Sequence, residues 1–163
     1  MSILDRHIEN HKVKAVPGSM MVTNLYTAGV AGEAFLRSLK DREEILGSYC
    51  ATCKKAFLPA KLFCERCLSR LSEAEAETMK RVAPSEGQLQ TFTKVYVDLD
   101  NRPLESPQVI GFVTFKGFEG GLIHRIFASN EKKLKAGAKV KVVFEPSHQR
   151  KGSILDIAHF EVL

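Results

Sequence analysis

The chain is 163 residues long, 44% hydrophobic and 26% charged, with a formal net charge of +5. That suits one compact domain or two small ones of ordinary globular composition. The charge is spread, with 13 basic and 11 acidic residues before Gly87 and 11 and 8 from there on; a nucleic-acid footprint concentrates its positive charge instead.

The opening MSILDRHIENHKVK is charged throughout and lacks the apolar core of a secretory signal. Residues 4–13 form a short polar segment with helical character, followed by a break at Pro17-Gly18 and a loop. The most apolar early stretch, residues 16–36, is interrupted by Pro17, Asn24 and Glu33, too often to span a bilayer. The expected location is therefore cytoplasmic, with no membrane partner. Within TAGVAGEAFLRSLKDREEIL, Val30, Phe35, Leu36 and Leu39 recur at helical spacing. The pattern predicts a helix over 28–41, with Thr27 as N-cap and Gly47 closing the segment.

A cysteine-rich block follows at about 45–84. Its tail, EAEAETMKRVAP, has a helical composition, yet Thr78, Lys80 and Val82 alternate like a strand. Beyond it, strand-like runs fall at 89–98, 109–115, 121–127, 139–145 and 154–162. Turn signals separate them at 100–103, 117–121 and 146–152. In SNEKKLKAG, Ser129 or Asn130 can cap a short helix that Gly137 ends. Five strands with a helix between the third and fourth is the element order of an OB-fold barrel, although a five-stranded sandwich would give a similar list. The fold expectation is mainly β: an N-terminal arm and docking helix (1–44), a zinc ribbon (45–84) and a five-stranded OB-fold barrel (85–163).

All four cysteines lie in CATCKKAFLPAKLFCERC. Cys50, Cys53, Cys64 and Cys67 form two C-x-x-C pairs, each able to bend as a knuckle that aims two sulfurs at one point. A hairpin through Phe57-Leu58-Pro59 and Lys61-Leu62-Phe63 would bring the knuckles together. Four thiolates complete a tetrahedral site that suits Zn²⁺, with iron as the rubredoxin-type alternative. In a reducing compartment such pairs read as metal ligands rather than disulfides. Four protein ligands leave no open position for water, so the site is expected to be structural. They also leave no cysteine free as a nucleophile.

Other catalytic signatures are missing: there is no G-x-S-x-G elbow, no phosphate-loop motif and no dinucleotide fingerprint. No catalytic residue is assigned. His124 shares strand parity with Leu122 and Ile126, which favours a core-edge or surface imidazole over a functional one. Asp156 and His159, three apart in a strand, would face opposite sides and make a poor acid–base pair. A ligand or partner face has better material. Phe92, Lys94 and Tyr96 share one face of the first strand, and Arg125 and Phe127 one face of the third; with His124 beside them, these are the candidate ligand- or partner-binding residues. Aromatic and basic side chains together can stack bases and neutralise phosphates. The lysines at 132, 133, 135, 139 and 141 read as a solvated helix and strand edge, with a phosphate-facing patch as the alternative.

The order of helix, four-cysteine ribbon and OB-like barrel resembles the acyl-CoA-associated zinc-ribbon/OB-fold family catalogued as domain of unknown function 35. The resemblance runs from about Tyr26 to the C-terminus. It rests on YTAGVAGEAFLRSLKDREEILGSYCATC, FLPAKLFCERC, LQTFTKV, PQVIGFVTF, GGLIHRI, LKAGAKVKVVFEP and RKGSILDIAHFEVL. It implies structural zinc on the four cysteines and a non-catalytic accessory subunit of a thiolase-type enzyme complex. Such complexes make or cleave C–C bonds in acyl-CoA, as in benzylsuccinate-pathway thiolysis, and coenzyme A thioester would be a ligand shared with the partner. Two alternatives accompany it: an accessory subunit of an enoyl-CoA hydratase, and a zinc-ribbon/OB protein binding single-stranded nucleic acid, which a sequence pI near 9.1 would suit.

Overall fold

The computed structural model describes residues 27–71, 80–98, 100 and 102–163. The expected helical segment at 4–13 and the glutamate-rich part of the cysteine block's tail lie outside them.

Helix α1 (Gly29–Arg42) forms where the apolar spacing predicts it. Phe35 and Leu39 are buried, whereas Val30 stays exposed on the first turn. The N-cap position falls on Ala28, with no side-chain cap, instead of Thr27. The helix stops at Glu43, which takes a left-handed φ of 57°, while the Ser38 hydroxyl donates to the Glu44 carbonyl at 2.8 Å. Gly47 does not end the helix. It lies in strand β1 (Leu46–Cys50), where a Cβ would collide with the Phe118 ring and the Phe57 carbonyl.

β1 pairs antiparallel with β2 (Lys55–Leu58) and, on its other edge, with β3 (Lys80–Val82). The strand-like alternation in the cysteine block's tail is thus realised at its end. The fourth strand of this sheet comes from far along the chain: β6 (Phe118–Gly120) runs parallel to β2, giving the order β3-β1-β2-β6. Gly117 to Gly121 is therefore more than a hairpin turn. Gly120, at φ 88°, passes so close to the Leu58 carbonyl that no side chain fits.

The remaining strands close a barrel in the order β4-β5-β7-β9-β8. They are β4 (Glu86–Val97), β5 (Pro103–Thr114), β7 (Leu122–Phe127), β8 (Lys139–Phe144) and β9 (Ile157–Val162). All contacts are antiparallel except β7 with β9, and β8 returns to pair with the start of β4. Closure satisfies the edges an open sandwich would leave unpaired. The sandwich alternative is excluded.

Three boundaries differ from the sequence reading. β4 and β5 extend to a turn in which the Asp98 carboxylate accepts the backbone N–H groups of Asp100 and Arg102, both at 2.8 Å. The expected helix between the third and fourth barrel strands is a single 3-10 turn (Glu131–Lys133) capped by Asn130, because Leu134 already returns to extended backbone. The run expected as strand from 154 begins with a 3-10 turn (Ile154–Asp156), closed by a capping box between Ser153 and Asp156.

One apolar cluster joins helix, ribbon sheet and barrel. Phe35, Leu39, Ile45, Leu46 and Leu58 pack with Leu89, Val113, Phe115, Val140, Ile157 and Phe160. Arg150 ties the β8–β9 loop to the helix end. Its side chain is only 7% exposed, donates to the Lys40 carbonyl at 2.6 Å and pairs with Glu43 at 3.0 Å. A cation there meets the negative end of the helix dipole. Among the described residues, no helix is long and apolar enough to cross a membrane.

Candidate metal centre and binding faces

The two knuckles are turns of two different hairpins. Cys50 to Cys53 closes the β1–β2 hairpin. Cys64 to Cys67 closes a smaller one, in which Phe63 bridges to Arg70 and the Leu71 N–H donates to the Leu62 carbonyl. The expected hairpin through 57–63 does not form, because Phe57 and Leu58 are committed to β2 between β1 and β6. The chain instead turns at Pro59 and returns beneath the first knuckle, with the Ala60 N–H donating to the Leu46 carbonyl and the Lys61 N–H to the Ser48 hydroxyl.

The knuckles resemble each other locally. The Cys53 N–H points at the Cys50 sulfur and the Arg66 N–H at the Cys64 sulfur, both at 3.4 Å. The residue after each pair is left-handed, Lys54 at φ 54° and Leu68 at φ 59°. All four sulfurs lie within 4.8 Å of one another. Cys50 to Cys67 spans 3.6 Å and Cys53 to Cys64 spans 3.8 Å. A tetrahedron with Zn–S bonds of about 2.3 Å has S–S edges of roughly 3.8 Å, so the residues fit zinc. Bound there, the ion would cross-link the two hairpins.

As free thiols the four cannot share the charge evenly. The Ser69 hydroxyl, 3.2 Å from Cys67, and then its N–H favour the Cys67 thiolate, lowering that thiol to about 6. Hydrogen bonding to Cys67, then burial, pushes Cys53 up to about 12. Full ionisation needs a cation at the centre.

The ribbon is also clamped to the barrel. Glu119 on β6 pairs with Lys55 of β2 at 3.1 Å and with Arg66 of the second knuckle at 2.9 Å. These cations, Lys55 foremost, hold its carboxyl below the usual range. No motif pointed to Glu119, because its partners are 53 and 64 residues away in sequence.

The residues expected to make a ligand face are dispersed. Phe92 is half-buried and packs against the core. Lys94 reaches the Glu131 carboxylate at 3.0 Å, which raises its pKa. Tyr96 is 60% exposed at the second register shift of β4, between Val95 and Val97. His124 shares the inward parity of Leu122 and Ile126 and lies buried in the barrel, so it is neither at the surface nor part of a ligand face. Its Nε2–H donates to the Ile154 carbonyl at 3.2 Å, its Nδ1 is buried with no hydrogen-bond partner among the described residues, and burial lowers its pKa. Arg125 and Phe127, on the opposite parity, face outward.

Asp156 and His159 are indeed no pair. Asp156 accepts the backbone N–H groups of Lys151, Gly152 and Ser153 at 2.9, 2.7 and 3.2 Å. His159 packs against the Phe127 ring at 5.4 Å. That contact brings together β7 and β9, which no local pattern links, and it opens beside a cavity of about 500 Å³.

A rubredoxin-like four-cysteine ribbon joined to a closed OB barrel defines the class of this protein. Family models agree: the rubredoxin-like zinc ribbon domain of ChsH2 matches residues 37–72, and the C-terminal OB-fold domain of ChsH2 matches residues 80–145. The chain belongs to this ChsH2, or DUF35, family of zinc-ribbon/OB-fold proteins. The chain is similar to a crystal structure of a DUF35-family protein of unknown function from Sulfolobus solfataricus. The two are 27% identical with a TM-score of 0.63, over 82% of this chain and 86% of that one. It also shares its fold with a chain of the Ltp2–ChsH2(DUF35) aldolase, at 18% identity and a TM-score of 0.53, over 72% and 85% of the two chains. No curated protein sequence matches it significantly.

Proposed function

We propose that this chain is a non-catalytic accessory subunit of a thiolase-superfamily enzyme that makes or breaks a C–C bond in an acyl-CoA. The observation that carries the reading is the convergence of all four cysteines on one tetrahedral point. Thiolase-type chemistry needs a cysteine nucleophile with acid–base partners. Here every thiol is committed to the ribbon, His124 is sealed in the barrel, and Asp156 is spent on loop N–H groups. The reacting groups would come from the partner. The fold shared with a chain of the Ltp2–ChsH2(DUF35) aldolase supports an assembly of this kind.

In this reading the zinc makes a rigid platform of a ribbon with little core of its own, and Glu119 fixes that platform to the barrel. The N-terminal arm and helix clamp the enzyme, and the barrel shapes its acyl-CoA entrance. Thiolysis of a β-ketoacyl-CoA, as in β-oxidation in the benzylsuccinate pathway, is the finer assignment.

Affinity capture of the tagged full-length chain from its native cells, with partner identification and metal analysis, tests this. A thiolase-family enzyme and one equivalent of zinc should co-elute, and the enzyme should lose turnover when the chain is withheld. A partner fully active and stable alone, or an enoyl-CoA hydratase in its place, would overturn the assignment.

A further inference from the structure

The four corners of the metal site are not equally sheltered. Cys50 and Cys64 are buried, at 1% and 0% exposure, and Cys53 is half-buried. Cys67 alone of the four is exposed, on the turn of the second hairpin where Leu68 beside it is 75% exposed. An oxidant reaches a thiolate by direct contact, so exposure selects the sulfur that reacts first. Distance selects its partner. The Cys67 sulfur lies 3.6 Å from that of Cys50, across the gap between the hairpins, and Cys53 faces Cys64 in the same way at 3.8 Å. Within each knuckle, a backbone N–H at 3.4 Å holds the first sulfur towards the shared centre, where its near neighbour belongs to the other hairpin.

We infer that Cys67 is the ribbon's site of oxidation by peroxides, and that it resolves onto Cys50 as a disulfide replacing the metal as the staple between the hairpins. The Cys67 thiolate attacks one peroxide oxygen: an S–O bond forms, the O–O bond breaks and hydroxide leaves, giving a sulfenic acid. The Cys50 thiolate then attacks the Cys67 sulfur: the S–S bond forms, the S–O bond breaks and a second hydroxide leaves. The two thiolates give up two electrons, the peroxide takes them, and two protons from solvent convert the hydroxides to water. The sulfurs need only close from 3.6 Å to about 2.0 Å. Cys53 and Cys64 are left as two ligands of a site that needs four, so zinc is released. A disulfide within either knuckle would leave the hairpins untied once the metal is gone. A disulfide across them keeps the ribbon closed, and a reducing thiol with zinc reverses the exchange. The chemistry involves only this chain and a peroxide, and is independent of the subunit role.

Hydrogen peroxide added to the full-length zinc-loaded chain, beside a chromogenic zinc chelator, tests this, with the products alkylated and mapped by mass spectrometry. One zinc per chain should be released, with Cys50 joined to Cys67 and with Cys53 and Cys64 alkylated at the earliest time points. Dimedone, which traps sulfenic acids, should label Cys67 first. Trypsin should cut after exposed Arg66 and Arg70 severalfold more slowly in the oxidised chain than in the reduced, metal-stripped chain. Cys67→His keeps a fourth ligand and should slow peroxide-driven release about tenfold or more. Cys53→His should release zinc like the unmodified chain, and metal analysis before oxidation shows each variant loaded. A first disulfide within either knuckle, first labelling at another cysteine, or equal release by loaded Cys67→His overturns the proposal. If Cys67→His takes up no zinc, the mapping on the unmodified chain decides alone.

Discussion

The ribbon and the barrel are sheets of similar strand number stabilised by different physics. Around the knuckles the ribbon buries only Cys50, Phe57, Cys64 and Leu71 as a cluster of their own. The barrel interior contributes more than half of a much larger cluster, anchored by Phe160, Leu89, Val113 and Val140. A short hairpin pair of this kind buries too little apolar surface to offset its chain entropy, so a cross-linking ion substitutes for core. The barrel closes its own edges and needs no such device. The two are nevertheless one piece of structure, because β6 leaves the barrel to complete the ribbon's sheet and Glu119 rides on it.

The largest expected effect strikes the ribbon alone. Cys64→Ser removes one corner of the tetrahedron and should abolish stoichiometric zinc, loosening the second hairpin and reducing partner assembly. Metal analysis beside far-UV circular dichroism reads both halves of the comparison: zinc lost, barrel signal kept. Unchanged zinc content would break it.

Phe160→Ala makes the opposite cut. Phe160 is fully buried and packs against Phe115 and His124 at ring separations of 6.0 Å. Truncation should cost about 3–5 kcal/mol of folding stability, visible as a lower denaturation midpoint. Below that midpoint the zinc should stay bound. Zinc loss in step with a mild barrel destabilisation would mean the regions are not energetically distinct.

Glu119→Gln probes the join. It removes the charge shared by Lys55 and Arg66 without altering a metal ligand. Zinc transfer to a competing chelator should accelerate severalfold, with little change in thermal midpoint. A charge-swapped pair, Glu119→Lys with Arg66→Glu, should restore part of the lost retention.

The smallest effect concerns pH and belongs to the barrel. Buried His124 titrates below its ordinary value of 6.5. Protonation would charge Nδ1 where no described residue accepts its hydrogen, beside Arg125 and His159, whose charges also disfavour it. Above 6.5 both folded and unfolded chains hold this imidazole neutral, and stability is fully present. As pH falls through 6.5 towards the depressed folded value, the unfolded chain takes the proton first and stability declines. Denaturant titrations between pH 7.5 and about 5 should show that slope, and His124→Gln should flatten it. An identical slope in the variant would assign the decline to other groups.

Much of this was legible in one dimension. The zinc ligands follow from four cysteines in two pairs, because knuckle geometry is local. The helix over Phe35 and Leu39 and the shared face of Leu122, His124 and Ile126 follow from periodicity, which sterics impose on any helix or strand; that this face is sealed in the barrel does not. Local pattern could not see which hairpin carries the second knuckle, since that depends on Phe57 and Leu58 being claimed by neighbouring strands. Nor could it separate Phe92, drawn into the core, from Arg125 and Phe127 on the barrel's outside.

What the sequence alone determined, then, is composition at short range: a helix, two metal knuckles, and strands in OB order. Only the tertiary structure decided the long-range pairings: β6 beside β2, Glu119 against Arg66, and Phe127 against His159. Their partners lie tens of residues apart, and their meeting is set by barrel closure and shared burial, which no window of sequence contains.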